Sequence, residues 1–164
     1  MNKTLPMPLT RRGLAAAAPA LIMASPAAAT PDADQNAALV RKFWDAFNRA
    51  AWDELDALVA PTYRHQPTER VLTLAEFKRG GRWVHRGLAD YRLDIGDLVH
   101  ADGTVAVRWT ARGRHVGSMF GEPPTGKLII TYGMHFHRIA QGRIAEDWEV
   151  IDFDHFRRQL LDTH

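Results

Sequence analysis

Residues 108–148 read RWTARGRHVGSMFGEPPTGKLIITYGMHFHRIAQGRIAEDW, and the fold is decided here. The segment opens inside an alternating run from Thr104 to Arg114. Val105, Val107, Trp109 and Ala111 face one way, and Arg108, Thr110 and Arg112 the other, as in a strand with one buried face. Lys127 to Ile139 is a second strand, apolar on both faces: Leu128, Ile130, Met134 and Phe136 against Ile129 and Ile139. Gln141-Gly142 is a turn, and Arg143 to Ile151 is the last strand. The connection from Gly121 to Gly126 lacks the strand–glycine–helix context and the Lys-Ser/Thr pair of a phosphate loop. Its prolines and glycines are expected to shape a wide turn at the lip of a pocket.

Upstream, Tyr91 to His100 is a further strand, joined to the next by the hairpin signal Asp102-Gly103. Before it the periodicity becomes helical. Leu39, Val40, Phe43 and Phe47 recur on one face, with Asp34 as the expected N-cap and an end near Ala50. Trp52 to Val59 continues as a short helix that Ala60-Pro61 stops, and Tyr63 to Pro67 is a short extended piece. Thr73-Leu74-Ala75-Glu76 is a capping box that opens a third helix, in which Gly80-Gly81 costs helix stability and leaves room for a break. Phe153 to Leu161 is a closing helix. Helices first and a meandering sheet afterwards give an α+β fold. A sheet apolar on both faces needs cover on both, one side by the helices and the other by a second copy, so a homodimer is expected.

The first 29 residues carry Lys3, Arg11 and Arg12, no acid, an apolar run from Gly13 to Ala24, and the small-residue stretch Ser25 to Ala29. This is the pattern of an export signal, and Thr10-Arg11-Arg12-Gly13-Leu14 is of the twin-arginine type. Cleavage after Ala29 would leave one domain, residues 30–164, in the periplasm or secreted, with no membrane anchor. Taking the leader's three basic residues from 21 leaves 18, against 19 acidic. No basic stripe remains to argue for nucleic acid. The chain has no cysteine, which excludes disulfides, thiolate chemistry and Cys-based metal sites.

The chemistry-bearing residues are histidines. His135 and His137 are two apart on a strand and point to one face, where either can carry a proton near neutrality. His115 shares the parity of Val105 and Trp109, and His65 lies on the extended piece after the second helix. A His-x-His pair also suggests a cupin-type metal site, but the next acid after His137 is Glu146, across a turn. Zinc or iron held by His65, His115 and His135 is a further possibility. Glu146 and Trp148 share one face of the last strand, and Asp147 and Glu149 the other; the latter two acids are expected to be solvated or paired with arginines.

With these residues laid out, the chain resembles the SnoaL-like, ester cyclase-like polyketide cyclases of the nuclear transport factor 2-like superfamily. Val40 to Asn48 is similar to that family's opening helix, and Asp53 to Tyr63 to its second helix and Tyr-containing turn. Arg112 to Gly117, Phe120-Gly121, Pro124-Thr125-Gly126 and Gly133 to Trp148 carry its strand motifs. The resemblance implies a curved, mostly antiparallel sheet wrapped by N-terminal helices into a cone with a pocket in its mouth. It implies an intramolecular aldol closure of a polyketide-like compound without metal or organic cofactor. The family's acid/base aspartate matches His135 here, and its supporting histidine matches His65. These two are the expected catalytic pair. His115, Trp109, Phe136, Trp148 and Tyr63 are the expected contacts for a small apolar or aromatic ligand. The alternatives are a non-catalytic ligand-binding domain of the same fold and a histidine-metal enzyme.

Overall fold

The computed structural model describes residues 31–67 and 70–161, so the leader read at residues 1–29 lies outside the described residues. The elements are α1 (Pro31–Asn48), α2 (Glu54–Leu58), β1 (Val59–Gln66), α3 (Leu74–Gly87), β2 (Leu88–Ala101), β3 (Thr104–His115), β4 (Leu128–Ala140), β5 (Arg143–Ile151) and α4 (Phe153–Leu161). The strands form one sheet in the order β1-β5-β4-β3-β2. All neighbours are antiparallel except β1, which runs parallel to β5. This is the expected α+β cone.

Local chemistry accounts for most element ends. On α1, Val40, Phe43, Trp44 and Phe47 follow the three-and-four spacing and are all buried. The helix starts at Pro31, where a fixed φ suits the first helical position, so Asp34 lies inside it rather than capping it. α3 begins at the capping box: the Thr73 hydroxyl accepts from Glu76 N–H at 3.3 Å, and the Glu76 carboxylate accepts from Thr73 N–H at 2.9 Å. The helix runs through Gly80-Gly81 without a break. Gly81 is there for closeness: a Cβ would stand 2.6 Å from the Trp52 ring. The second helix is shorter than expected, because Val59 already pairs with Ile144 of β5. Pro61 sits in that strand because β1 is a sheet edge, where a missing N–H costs no ladder bond.

Bulges curve the sheet. The β2–β3 register shifts between Ala89 and Arg92 and again between Ile95 and Asp97. On β5, Arg138 faces Glu146 but Ile139 faces Ile144, so Ala145 is one extra residue. Each extra residue bends its strand and increases the local twist. The concave face holds the main core, with Phe43, Phe47 and Trp44 of α1 against Val105, Val107, Trp109 and Ala111 of β3. A second cluster, Leu88, Met119, Ile129, Phe156 and Leu160, closes the far end under α4. The side chain of Gln159 pins that helix to β4, bonding both N–H and C=O of Ile130.

Candidate active site

Five titratable side chains meet on the concave face: His65 from β1, His135 and His137 from β4, and Asp147 and Glu149 from β5. Strand pairing puts them there. His65 lies beside Asp147 in the β1–β5 register, while His135 faces Glu149 and His137 faces Asp147 across β4–β5. The expectation that Asp147 and Glu149 are solvated or paired with arginines is corrected: the side chain of Asp147 is fully buried and that of Glu149 is 15% exposed. The arginines Arg64 and Arg138 instead take Glu146 on the opposite face.

Asp147 is the hub. It accepts from the Tyr63 hydroxyl at 2.6 Å and from His65 Nδ1. The other nitrogen of His65 lies 3.3 Å from Glu149 Oε2. Burial alone would lower the pKa of His65, but its bonds to Asp147 and Glu149 outweigh that and raise it to about 9. His65 is therefore an imidazolium at neutral pH, held between two carboxylates. Burial opposes the charge on both acids, yet the imidazoles prevail. His65 holds Asp147 below the usual carboxylate range, and the N–H groups of His135 and His65 that face Glu149 bring it down to about 2.

Two indoles fix the remaining histidines. Trp109 Nε1–H donates to His135 Nδ1 at 2.8 Å, and Trp44 Nε1–H donates to His137 Nε2 at 3.1 Å. An imidazole nitrogen that accepts carries no proton, so neutral His135 bears its proton on Nε2. That atom lies 3.2 Å from Glu149 Oε1, at an angle too bent for a well-formed hydrogen bond. Gly133 makes room for this: a Cβ there would stand 2.2 Å from the Trp109 ring. His137, pushed down to about 3 chiefly by burial, stays neutral beneath the site.

In front of this cluster lies a cavity of about 100 Å³. Its walls are apolar and include Trp44, Phe77, Trp83, Val84, Trp109 and Phe156. Glu149 is the one charged group among its lining residues. His65 and His135 stand behind that carboxylate, their ring centroids 6.3 Å apart.

The expected contact residues separate. Trp109 lines the cavity. Tyr63 is buried behind it, its hydroxyl committed to Asp147. His115 is buried elsewhere, its Nδ1 accepting from Thr125 N–H at 3.2 Å, so it joins neither the cluster nor a metal set with His65 and His135. Phe136 and Trp148 pair on the convex face, Phe136 about half exposed and Trp148 under the Arg138 guanidinium. The Gly121 to Gly126 turn is not a cavity lip; Phe120 beside it packs on Trp83 and Phe156. The site residues that sequence reasoning missed are Glu149 and Asp147. The available signal was the shared parity of two acids on a strand opposite two histidines.

His65, His135 and Glu149 each offer a ligand atom, all within 4.8 Å of one another. The donor types suit zinc or iron. A metal on His135 Nε2 needs a proton on Nδ1, however, and Nδ1 already faces the Trp109 N–H.

The sequence model of the family described as SnoaL-like polyketide cyclase matches residues 38–160. The chain is similar to aklanonic acid methyl ester cyclase AcmA of Streptomyces galilaeus, 28% identical over 127 residues, covering 75% of this chain and 88% of that one. It is similar to nogalonic acid methyl ester cyclase of Streptomyces nogalater, 29% identical over 121 residues, covering 71% and 90%. Among solved structures, IdmH of Streptomyces antibioticus superposes with a TM-score of 0.72 at 24% identity, over 78% of this chain and 99% of that one. This last likeness carries the fold alone.

Proposed function

The chain belongs to the SnoaL-like polyketide cyclase family, and on that footing we propose that it closes a ring in a polyketide-like carbonyl compound, with Glu149 as the proton-transfer group. The observation that carries this is the placement of Glu149, the one charged residue lining an apolar cavity, in touch with two imidazoles. A carboxylate held ionised in such a cavity can take a proton from the carbon next to a carbonyl. The resulting enolate attacks a second carbonyl of the same molecule, forming the ring bond. Glu149 then returns its proton to the new alkoxide, so the proton count closes on one residue.

The histidines act behind it. Neutral His135 has no free lone pair to offer, since Nδ1 accepts from Trp109 and Nε2 holds the proton. His135 is thus read as a neutral neighbour whose N–H faces Glu149 rather than as the base, and cationic His65 lies against the other oxygen. A Glu149 pKa of about 2 limits its strength as a base. Exclusion of water by the apolar substrate offsets part of that loss.

Glu149→Gln keeps the shape and removes the acceptor. Turnover of nogalonic or aklanonic acid methyl ester, the compounds named for the two relatives, should drop roughly 100- to 10,000-fold. Wild-type rates in the variant would remove Glu149 from the reaction, and binding without turnover in the wild type would favour the ligand-binding alternative. A metal enzyme is the second reading, motivated by the three converging donors. Stoichiometric zinc or iron in the purified protein would support it over the metal-free route.

Two readings concern the whole chain. Residues 1–29 are proposed to direct export, which N-terminal sequencing of the periplasmic protein checks: an intact Met1 there contradicts cleavage. The convex sheet face is proposed to bind a second copy.

A further inference from the structure

Thr131 lies on β4 on the inner face, 8% exposed. Its hydroxyl has no hydrogen-bond partner among the described residues. It lines the same cavity as Glu149. A buried hydroxyl left unpaired costs about 1–3 kcal/mol, and valine would fill the same space without that cost. The indoles of Trp44 and Trp109 in the same walls are already committed to His137 and His135. The Thr131 hydroxyl is therefore uncommitted where a ligand would lie.

Its position gives the ligand a length. Glu149 faces His135 across the β4–β5 ladder. Thr131 is four residues from His135, which at a strand rise of about 3.3 Å per residue is about 13 Å between the two Cα positions. Thr131 and Glu149 thus line the same cavity at well-separated points. One small carbonyl group cannot touch both.

We infer that Thr131 binds a second oxygen of the substrate, remote from the carbonyl that reacts at Glu149. The oxygen that Thr131 takes is a hydroxyl or carbonyl well separated from the reacting carbonyl. This rests on the reading of Glu149 as the proton-transfer group.

The probes are 2-acetylnaphthalene and 6-hydroxy-2-acetylnaphthalene, which differ only in an oxygen across the ring system from the ketone. Affinity is read by quenching of tryptophan fluorescence, and proton removal by deuterium exchange of the acetyl methyl group in D2O. The wild type should bind the hydroxy compound about tenfold more tightly, the worth of one hydrogen bond. Thr131→Val should bring the two affinities within twofold, and Thr131→Ser should restore the preference. Thr131→Val should melt no lower than the wild type, which separates a binding role from a structural one. Equal affinities in the wild type, no binding of either probe, or an unchanged preference in Thr131→Val would overturn the inference. Glu149→Gln tests the underlying reading separately. If it stops exchange while Thr131→Val keeps the preference, only the Thr131 inference fails. If exchange survives it while Thr131→Val loses the preference, only the Glu149 reading fails.

Discussion

The two faces of β4 and β5 have exchanged their usual characters. On the concave face His135, His137 and Asp147 are fully buried. On the convex face of the same strands Tyr132, Met134 and Phe136 are about half exposed, and Val150 is more so. A sheet that only had to fold would place the apolar side chains inside and the charges outside. The inner face instead bears the desolvation of ionised groups, several kcal/mol per ion, and offsets it only by pairing each with a partner. The outer face leaves apolar area in water that a partner could cover. The inner face thus pairs buried charges while the outer leaves apolar side chains exposed, and each can be perturbed alone.

Breaking the inner network should have the largest effect. Asp147→Asn keeps the shape but leaves cationic His65 without its main partner and Tyr63 with a weaker acceptor. The expected loss is about 3–5 kcal/mol, read from the urea midpoint. A loss under about 1 kcal/mol would mean that the network is not a structural unit.

Acidity should come next. The pKa of His65 is raised from 6.5 to about 9, so its contribution is complete below pH 6.5 and disappears as the pH rises through 9. Glu149 is lowered from 4.5 to about 2, so its contribution is present above pH 4.5 and disappears as the pH falls through 2. His137, held neutral down to about 3, adds a loss that begins as the pH falls below 6.5, where the unfolded imidazole takes up a proton. Stability should therefore peak near pH 6.5 and decline on both sides, by at most about 3 kcal/mol on the alkaline limb. In Asp147→Asn that limb should shrink, because a main cause of the raised value is gone. Denaturation across pH 5 to 10 reads both, and an unaltered limb in the variant would contradict the assignment.

The smallest effect on stability is expected from the outer face. Met134→Lys with Phe136→Lys adds charge to half-exposed positions. The urea midpoint should move by no more than about 0.5 kcal/mol per site. Sedimentation should nevertheless show dimers giving way to monomers. A wild type that is already monomeric would leave the convex face without the proposed partner.

How legible each face was depends on single residues. Asp102-Gly103 and Gln141-Gly142 were readable as turns because both pairs need positive φ, which they adopt. Thr73 and Glu76 were readable because a capping box closes within four residues. β4 was readable because its period-two pattern is unbroken. On β5, Ile144 is buried, and strict alternation from it would turn Glu146 and Trp148 inward. The bulge at Ala145 reverses that parity and brings Asp147 and Glu149 inside instead. Nothing in the local sequence around Ala145 announces the bulge. It exists because β5 must follow both β4 and β1 around a curved sheet.

The amino-acid sequence by itself determined the element order, the strand and turn chemistry, the family and the candidacy of His65 and His135, since all of these are written in short-range spacing and motif. Only the tertiary structure decided which acids meet those histidines, which nitrogen of His135 holds the proton, and that Phe136, Trp148 and His115 stand away from the cavity. Those outcomes depend on register, on a bulge and on an indole contributed by a neighbouring strand. They are set by how strands pair and packed layers meet, over distances that no local pattern encodes.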